Sequence, residues 1–173
     1  MPRLSTVWRC ICRATHRPLV LKQYHKPRMQ PVHHQQVANE IAALSMFAGI
    51  RFTGVVGYYG TFDEGDGTFL VLEHCSGGSA FDHMRPLHSP TEEWLVSRVI
   101  APLLMTLDVA HRRGYIHRDI KPEHCLFTAD GAFRLADWGL AVSMGRSNAT
   151  QPMPVVGTLD YLAPEVRLVK KRF

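Results

Sequence analysis

From Val7 to Leu21 the sequence VWRCICRATHRPLVL first alternates apolar and polar positions and then, beyond Thr15 to Pro18, becomes continuously apolar. Alternation with period two sends side chains to opposite faces of an extended chain, so this stretch predicts two strands joined by a turn. Val37, Ile41, Leu44 and Ala48 then recur at i, i+4, i+7 and i+11, the rhythm of a helix with one apolar stripe. Glu40 falls on the border of that stripe. A carboxylate tending inward costs several kcal/mol unless a cation meets it, so a buried partner is expected for Glu40. Gly54 to Tyr59 and Thr68 to Glu73 predict two further strands around the acidic, glycine-rich turn Asp63 to Gly67. The N-terminal part therefore reads as mostly sheet plus one helix.

The pattern changes after Gly77 and Gly78. Ser89, Pro90 and Glu92 supply a capping serine, a proline at the first helical position and a carboxylate at the third. They predict a long helix running to Arg113, bent at Pro102 and ended by Gly114. Two short apolar pieces, Cys125 to Phe127 and Phe133 to Leu135, flank Ala129-Asp130-Gly131-Ala132, a tight hairpin signal. Ser143 to Pro154 is polar and aperiodic and predicts a mobile loop.

With 46% apolar and 20% charged residues, the 173-residue chain has the composition of a globular protein with a core. The formal charge of +5 is scattered except at Lys170, Lys171 and Arg172, too diffuse for a nucleic-acid footprint. The longest apolar stretch, Trp94 to Ala110, is interrupted by Arg98, Pro102 and Asp108 and is expected to be too short and too charged to span a bilayer. Met1 to Thr6 lacks the apolar run of a secretory signal. Cys10, Cys12, Cys75 and Cys125 do not form a disulfide framework, which points to an intracellular setting, cytoplasmic or nuclear. Cys10, Cys12 and His16, with His33 and His34, have the wrong spacing for a zinc module; the two cysteines read as same-face residues of one strand.

Three segments belong together: His117-Arg118-Asp119-Ile120-Lys121-Pro122-Glu123, Asp137-Trp138-Gly139, and Gly157-Thr158-Leu159-Asp160-Tyr161-Leu162-Ala163-Pro164-Glu165. In this order they resemble the eukaryotic protein kinase family, serine/threonine type, and the third is similar in wording to the Aurora-like and Polo-like branches. The resemblance implies an α+β, two-lobe fold: a small lobe (1–75) of mostly antiparallel sheet plus one helix, and a mostly helical, incomplete large lobe (76–173). It further implies ATP and Mg²⁺ as cofactors and a protein substrate with a Ser or Thr hydroxyl. Lys22 matches the strand lysine that holds the α and β phosphates, and Glu40 the helix carboxylate paired with it. Asp119 would orient the acceptor hydroxyl and take its proton, and Lys121 would neutralise the γ phosphate. Asp137 matches the metal-holding aspartate. Val7, Val20 and Leu126 would sandwich the adenine ring, Leu72 would be the gatekeeper, and Glu73 to Cys75 the hinge. Leu44, Tyr58, His117 and Trp138 would stack as a spine. Arg118 would meet an anion of the activation segment; because Pro154 stands where many relatives carry a threonine, that anion would come from Ser147, Thr150 or another residue of the loop, or else the kinase would be constitutively set. Thr158 is expected to contact Asp119 and Lys121.

The chain also departs from the family. Counting back from Val7, the three loop glycines would fall at Ser5, Pro2 and one position before Met1, and none is glycine. The resemblance thus implies a chain truncated at both ends, lacking the first strand, the phosphate-covering loop and the later helices, and inactive on its own. His124 stands where the family has the asparagine that binds a second Mg²⁺, a nitrogen where that ion prefers oxygen. The alternative expectation is a pseudokinase, an interaction module with weak or no nucleotide binding. Loss of Lys22 is expected to leave Glu40 hydrated by an accessible cleft.

Overall fold

The computed structural model describes residues 4–85, 90–144 and 154–170. Strands β1 (Ser5–Ile11) and β2 (Pro18–His25) form the expected antiparallel hairpin, with Val7 opposite Lys22. Strands β3 (Tyr58–Glu64) and β4 (Gly67–Glu73) complete a four-stranded antiparallel sheet in the order β1-β2-β4-β3. Lys22 lies opposite Leu70, and Val20 opposite Leu72. Directly opposed residues share a face, so Val20, Lys22 and Tyr24 project to the side where Leu70 and Leu72 are buried.

The strand expected from Gly54 begins only at Tyr58. Gly54 to Val56 cross instead to the second lobe: Leu135 N–H donates to Gly54 O (2.8 Å) and Val56 N–H to Leu135 O (3.1 Å). A methyl group on Gly54 would lie 2.4 Å from Thr106 Oγ1 and 2.6 Å from the Phe52 ring, a close approach that only glycine permits.

Helix α1 (Pro31–Gly49) packs on the sheet through Val37, Glu40, Ala43, Leu44 and Phe47. The buried face is rotated from the expected stripe: Ile41 is half-buried and Ala48 exposed, while Glu40 sits at the centre of the face. Hydrophobicity places a carboxylate at the edge; a cation waiting inside places it in the middle.

In the second lobe, α2 (Ala80–His83) is capped by Ser79. Helix α3 (Glu92–Leu95) is capped by Thr91, whose hydroxyl accepts from Trp94 N–H (3.2 Å). The cap thus lies two residues beyond Ser89, which is outside the described residues, and both Glu92 and Glu93 enter the first turn, where the helix dipole favours them. A π turn (Val96–Ile100) carries the chain into α4 (Ala101–Arg112). Widening the helix just before Pro102 accommodates a residue with no N–H, so the helix continues through the proline. This corrects the expectation from interrupted composition: Glu92–Arg112 is 21 residues long and holds an 18-residue window with a mean hydropathy of 1.3, enough by length and composition alone to cross a membrane. Its inward side buries Val99, Thr106 and Ala110, while Val96, Ile100, Leu104 and Met105 are exposed.

Strands β6 (Cys125–Phe127) and β7 (Phe133–Leu135) form the expected hairpin. The two-residue pair of β5 (Tyr115–Ile116) with β8 (Val142–Ser143) has no sequence signal. Most of the expected loop, residues 145–153, lies outside the described residues, as do Ser147, Thr150, Lys171 and Arg172. Helix α5 (Pro164–Lys170) is the last element described. The core is continuous between the lobes, with Phe47 of α1 and the fully buried Trp138 packed at a ring distance of 4.7 Å.

Gly77 tests how tightly the chain entering the second lobe packs on the β6–β7 hairpin. A methyl group there would lie 2.5 Å from Thr128 O and 2.9 Å from both Phe127 Cβ and Phe127 O, mostly backbone that cannot step aside. Gly77→Ala is expected to cost about 2 kcal/mol by overpacking, read as a lower midpoint in urea; an unchanged midpoint would show that this seam is loose.

Candidate active site

Between the inner face of the sheet and the β6–β7 hairpin lies a cleft of ≈ 230 Å³. Val7 and Val20 form its roof, Leu126 its floor, and Glu73 and Cys75 its back, so all five residues expected to touch an adenine ring line one space. Leu72 and His74 line it as well. Val56 and Ala136 also belong to it and were not foreseen, because both lie outside regular elements. The Glu73 side chain is tied away from the cleft: its Oε2 accepts from Arg134 Nε (2.8 Å) and Gly57 N–H (3.0 Å). Burial pushes the Cys75 thiol up to about 12, helped by the nearby Glu73 charge, so it stays neutral and serves as wall.

Lys22 closes one end of the cleft. Its Nζ donates to Glu40 Oε1 (2.8 Å) and Oε2 (3.1 Å) and to Asp137 Oδ1 (2.8 Å). This is the buried cation that Glu40 demanded. Burial alone would push the ammonium down, but the charges of Glu40 and Asp137 outweigh it and hold its pKa well above the usual lysine value. Asp137 in turn is opposed by burial yet held down to about 2 by Lys22. The Glu40 side chain is only 2% exposed, so the expected hydration of an orphaned glutamate does not hold. Tyr24 was missed by the sequence reading: its hydroxyl donates to Glu40 Oε2. The signal was its spacing, two residues after Lys22 and hence on the same face of β2.

Asp119 lies across the cleft mouth. Its Oδ1 accepts from Thr158 N–H and from the Thr158 hydroxyl, each at 2.8 Å, and Lys121 Nζ stands 3.5 Å from Oδ2 and 3.0 Å from Thr158 Oγ1. Thr158 thus makes both expected contacts. Although burial opposes it, these hydrogen bonds keep the Asp119 carboxyl below its ordinary value. His117 is 1% exposed and held from both sides: Nε2–H donates to Ala136 O (3.0 Å) and Nδ1 accepts from Asp119 N–H (3.2 Å). Its ring meets Trp138 edge-on at 4.7 Å; Leu44 is buried in the same core, and Tyr58 is half-buried against it. Arg118 adopts φ +68 and donates through Nε to Leu140 O (2.7 Å). Pro154 is exposed.

His124 Nδ1–H donates to Asp119 O (2.9 Å), which turns Nε2 toward Asp137 Oδ2 at 3.3 Å. Two lone-pair atoms at that distance repel unless a proton or a cation lies between them. Magnesium is commonly held by one or two carboxylates together with substrate phosphates, a part that Asp137 fits; the imidazole is a poorer match. Among the described residues no three His, Cys, Asp or Glu side chains converge on one point, Cys10, Cys12 and His16 included.

The sequence pattern described as "Protein kinase domain" matches residues 3–172. An Aurora kinase of Schizosaccharomyces pombe is 34% identical over 149 residues, covering 86% of this chain and 40% of that protein. The serine/threonine-protein kinase PEPKR2 of Arabidopsis thaliana is 36% identical over 112 residues, or 65% of this chain and 23% of that protein. A citron Rho-interacting kinase of Mus musculus is 33% identical over 108 residues, or 62% of this chain and 5% of that protein. The chain spans well under half the length of these relatives.

Proposed function

Because this chain belongs to the protein kinase domain family, with serine/threonine kinases among its relatives, we propose that it is the nucleotide-binding and catalytic-loop part of an enzyme that transfers the ATP γ-phosphoryl group to a protein Ser or Thr hydroxyl. The observation that carries this reading is the Lys22 ammonium, held by Glu40 and Asp137 at the end of an apolar cleft. A fixed cation beside an apolar slot is what binding a nucleoside triphosphate requires. In this reading the adenine ring lies between Val7, Val20 and Leu126, with its polar edge toward the backbone of Glu73 to Cys75. Lys22 holds the α and β phosphates. Asp119 orients the acceptor hydroxyl and accepts its proton, and Lys121 offsets charge on the γ phosphate. Asp137 would hold a magnesium ion bound with the nucleotide, which would supply charge neutralisation on the phosphates.

Transfer is proposed for the whole protein. Residues 1–173 alone are expected to bind nucleotide without turnover. The four free cysteines support an intracellular setting.

A second reading, an interaction module that binds nucleotide weakly or not at all, draws on His124, whose Nε2 stands where an oxygen ligand would serve magnesium better. Calorimetric titration of the chain with ATP, with and without Mg²⁺, separates the two. Magnesium-dependent binding is expected, strengthened several-fold, about 1 kcal/mol, in His124→Asn, which offers an amide oxygen. Absence of ATP binding in both proteins would favour the interaction module.

A further inference from the structure

Glu40 is the most deeply buried carboxylate of the candidate site, 1% exposed, and needs every hydrogen bond it can make. Its Oε1 is served by Lys22, and its Oε2 by Lys22 at 3.1 Å and by the Tyr24 hydroxyl. Lys22 has three donors, and all three are committed: two to Glu40, one to Asp137. A phosphate entering the cleft must therefore take a donor from one of these carboxylates. Asp137, with its side chain 44% exposed, can turn to water or to a cation when it loses Lys22. Glu40 has no such recourse.

We propose that Tyr24 is a positioning residue for nucleotide: by holding Glu40 Oε2 independently of Lys22, it frees the lysine to be shared with the phosphates. This inference rests on the proposed nucleotide site and adds a residue to it. The hydroxyl is a permanent donor at neutral pH, because burial, followed by the charge of Glu40, raises its pKa far above the usual phenol value. The ring is fixed too. Tyr24 is 6% exposed, and Lys22 Nζ lies 5.2 Å from its ring centroid, so the lysine passes over the same aromatic face whose edge group serves the glutamate. Three side chains on two elements thus have separate parts. Lys22 supplies charge, Glu40 aims it, and Tyr24 keeps the aim when the lysine is pulled toward the ligand.

Tyr24→Phe removes the hydroxyl alone and keeps the ring under Lys22. Titrating the chain with Mg-ATP and, separately, with adenosine distinguishes positioning from packing. Without the Tyr24 hydroxyl the lysine must either leave Glu40 with an unbonded oxygen or withhold itself from the phosphates, so Mg-ATP affinity is expected to fall about tenfold, the scale of one hydrogen bond to a charged group. Adenosine has no phosphates, and its affinity should not change. A double-mutant cycle adds a second measurement: in a Glu40→Gln background, where the carboxylate charge is gone, Tyr24→Phe should weaken Mg-ATP by less than about twofold. Equal losses for adenosine and Mg-ATP would mean that Tyr24 only packs the fold, and would overturn the proposal. So would a full tenfold loss in the Glu40→Gln background, or wild-type Mg-ATP affinity in Tyr24→Phe. If the unmutated chain binds adenosine but gains nothing from the phosphates, the placement of Lys22 toward phosphate fails, and the role of Tyr24 with it.

Discussion

Lys22→Met is expected to abolish measurable ATP binding and to destabilise the fold by about 3–5 kcal/mol, the cost of removing one partner from a buried ion pair. Methionine nearly matches the lysine stem in volume, so packing is kept and the loss is electrostatic. With the ammonium gone, Glu40 retains, among the described residues, only the Tyr24 hydroxyl, in a site where its side chain is 2% exposed. It must then stay charged and unpaired or take up a proton. The affinity loss should be on the order of a hundredfold or more, from losing charge-assisted contacts to two phosphates. Adding Glu40→Gln to Lys22→Met removes the orphaned charge, and should restore much of the lost stability but none of the ATP binding. Urea unfolding together with ATP titration of both variants checks this. A single variant as stable as the unmutated chain would mean that water reaches Glu40.

The second large effect is acid destabilisation centred on His117. Burial lowers its pKa from 6.5 to about 4. The hydrogen bonds add to this: Nδ1 already accepts the Asp119 N–H, so a proton there would set donor against donor. Between pH 6.5 and about 4 the unfolded chain carries a proton on this ring that the native chain does not, so lowering the pH favours unfolding. The contribution is complete above about pH 6.5 and falls by about 3 kcal/mol on reaching pH 4. Asp119 and Asp137, whose carboxyls lie below their ordinary values, act in a lower window; their contribution is present above about pH 4 and disappears beneath it. Urea midpoints from pH 7 to 4.5 should therefore decline in the unmutated chain and stay nearly flat in His117→Gln, which can still donate and accept. Parallel declines would assign the acid sensitivity to another group.

Linear periodicity made the sheet, the β6–β7 hairpin and the existence of both long helices legible, because each segment carries its own pattern. It misjudged features that arise only when segments meet. Glu40 falls at the border of a stripe because a one-dimensional pattern counts a carboxylate as polar, whereas Lys22 and Tyr24, arriving from another strand, make the centre of the buried face its best position. Gly54 to Val56 looks like a strand because the residues are apolar; their backbone bonds go to Leu135, far along the chain. The cap shifts from Ser89 to Thr91 because both hydroxyl residues satisfy the same local rule. Val56 and Ala136, and Tyr24 behind Lys22, escape notice because no short pattern connects them to the cleft.

The crossing of Gly54 to Val56 onto Leu135 also has a mechanical meaning. The covalent connection from β4 through Glu73 to Cys75 is one attachment between the lobes, and the backbone pair of Leu135 with Gly54 and Val56 is another. Two separated attachments define an axis, as two hinges do for a door. Opening of the cleft is thereby confined to a swing about that line, while sliding or twisting of one lobe over the other would have to break the bonds at Leu135. Roof and floor then return to the same register after each excursion, with Val20 above Leu126, and Lys22 comes back to Asp137 without a search.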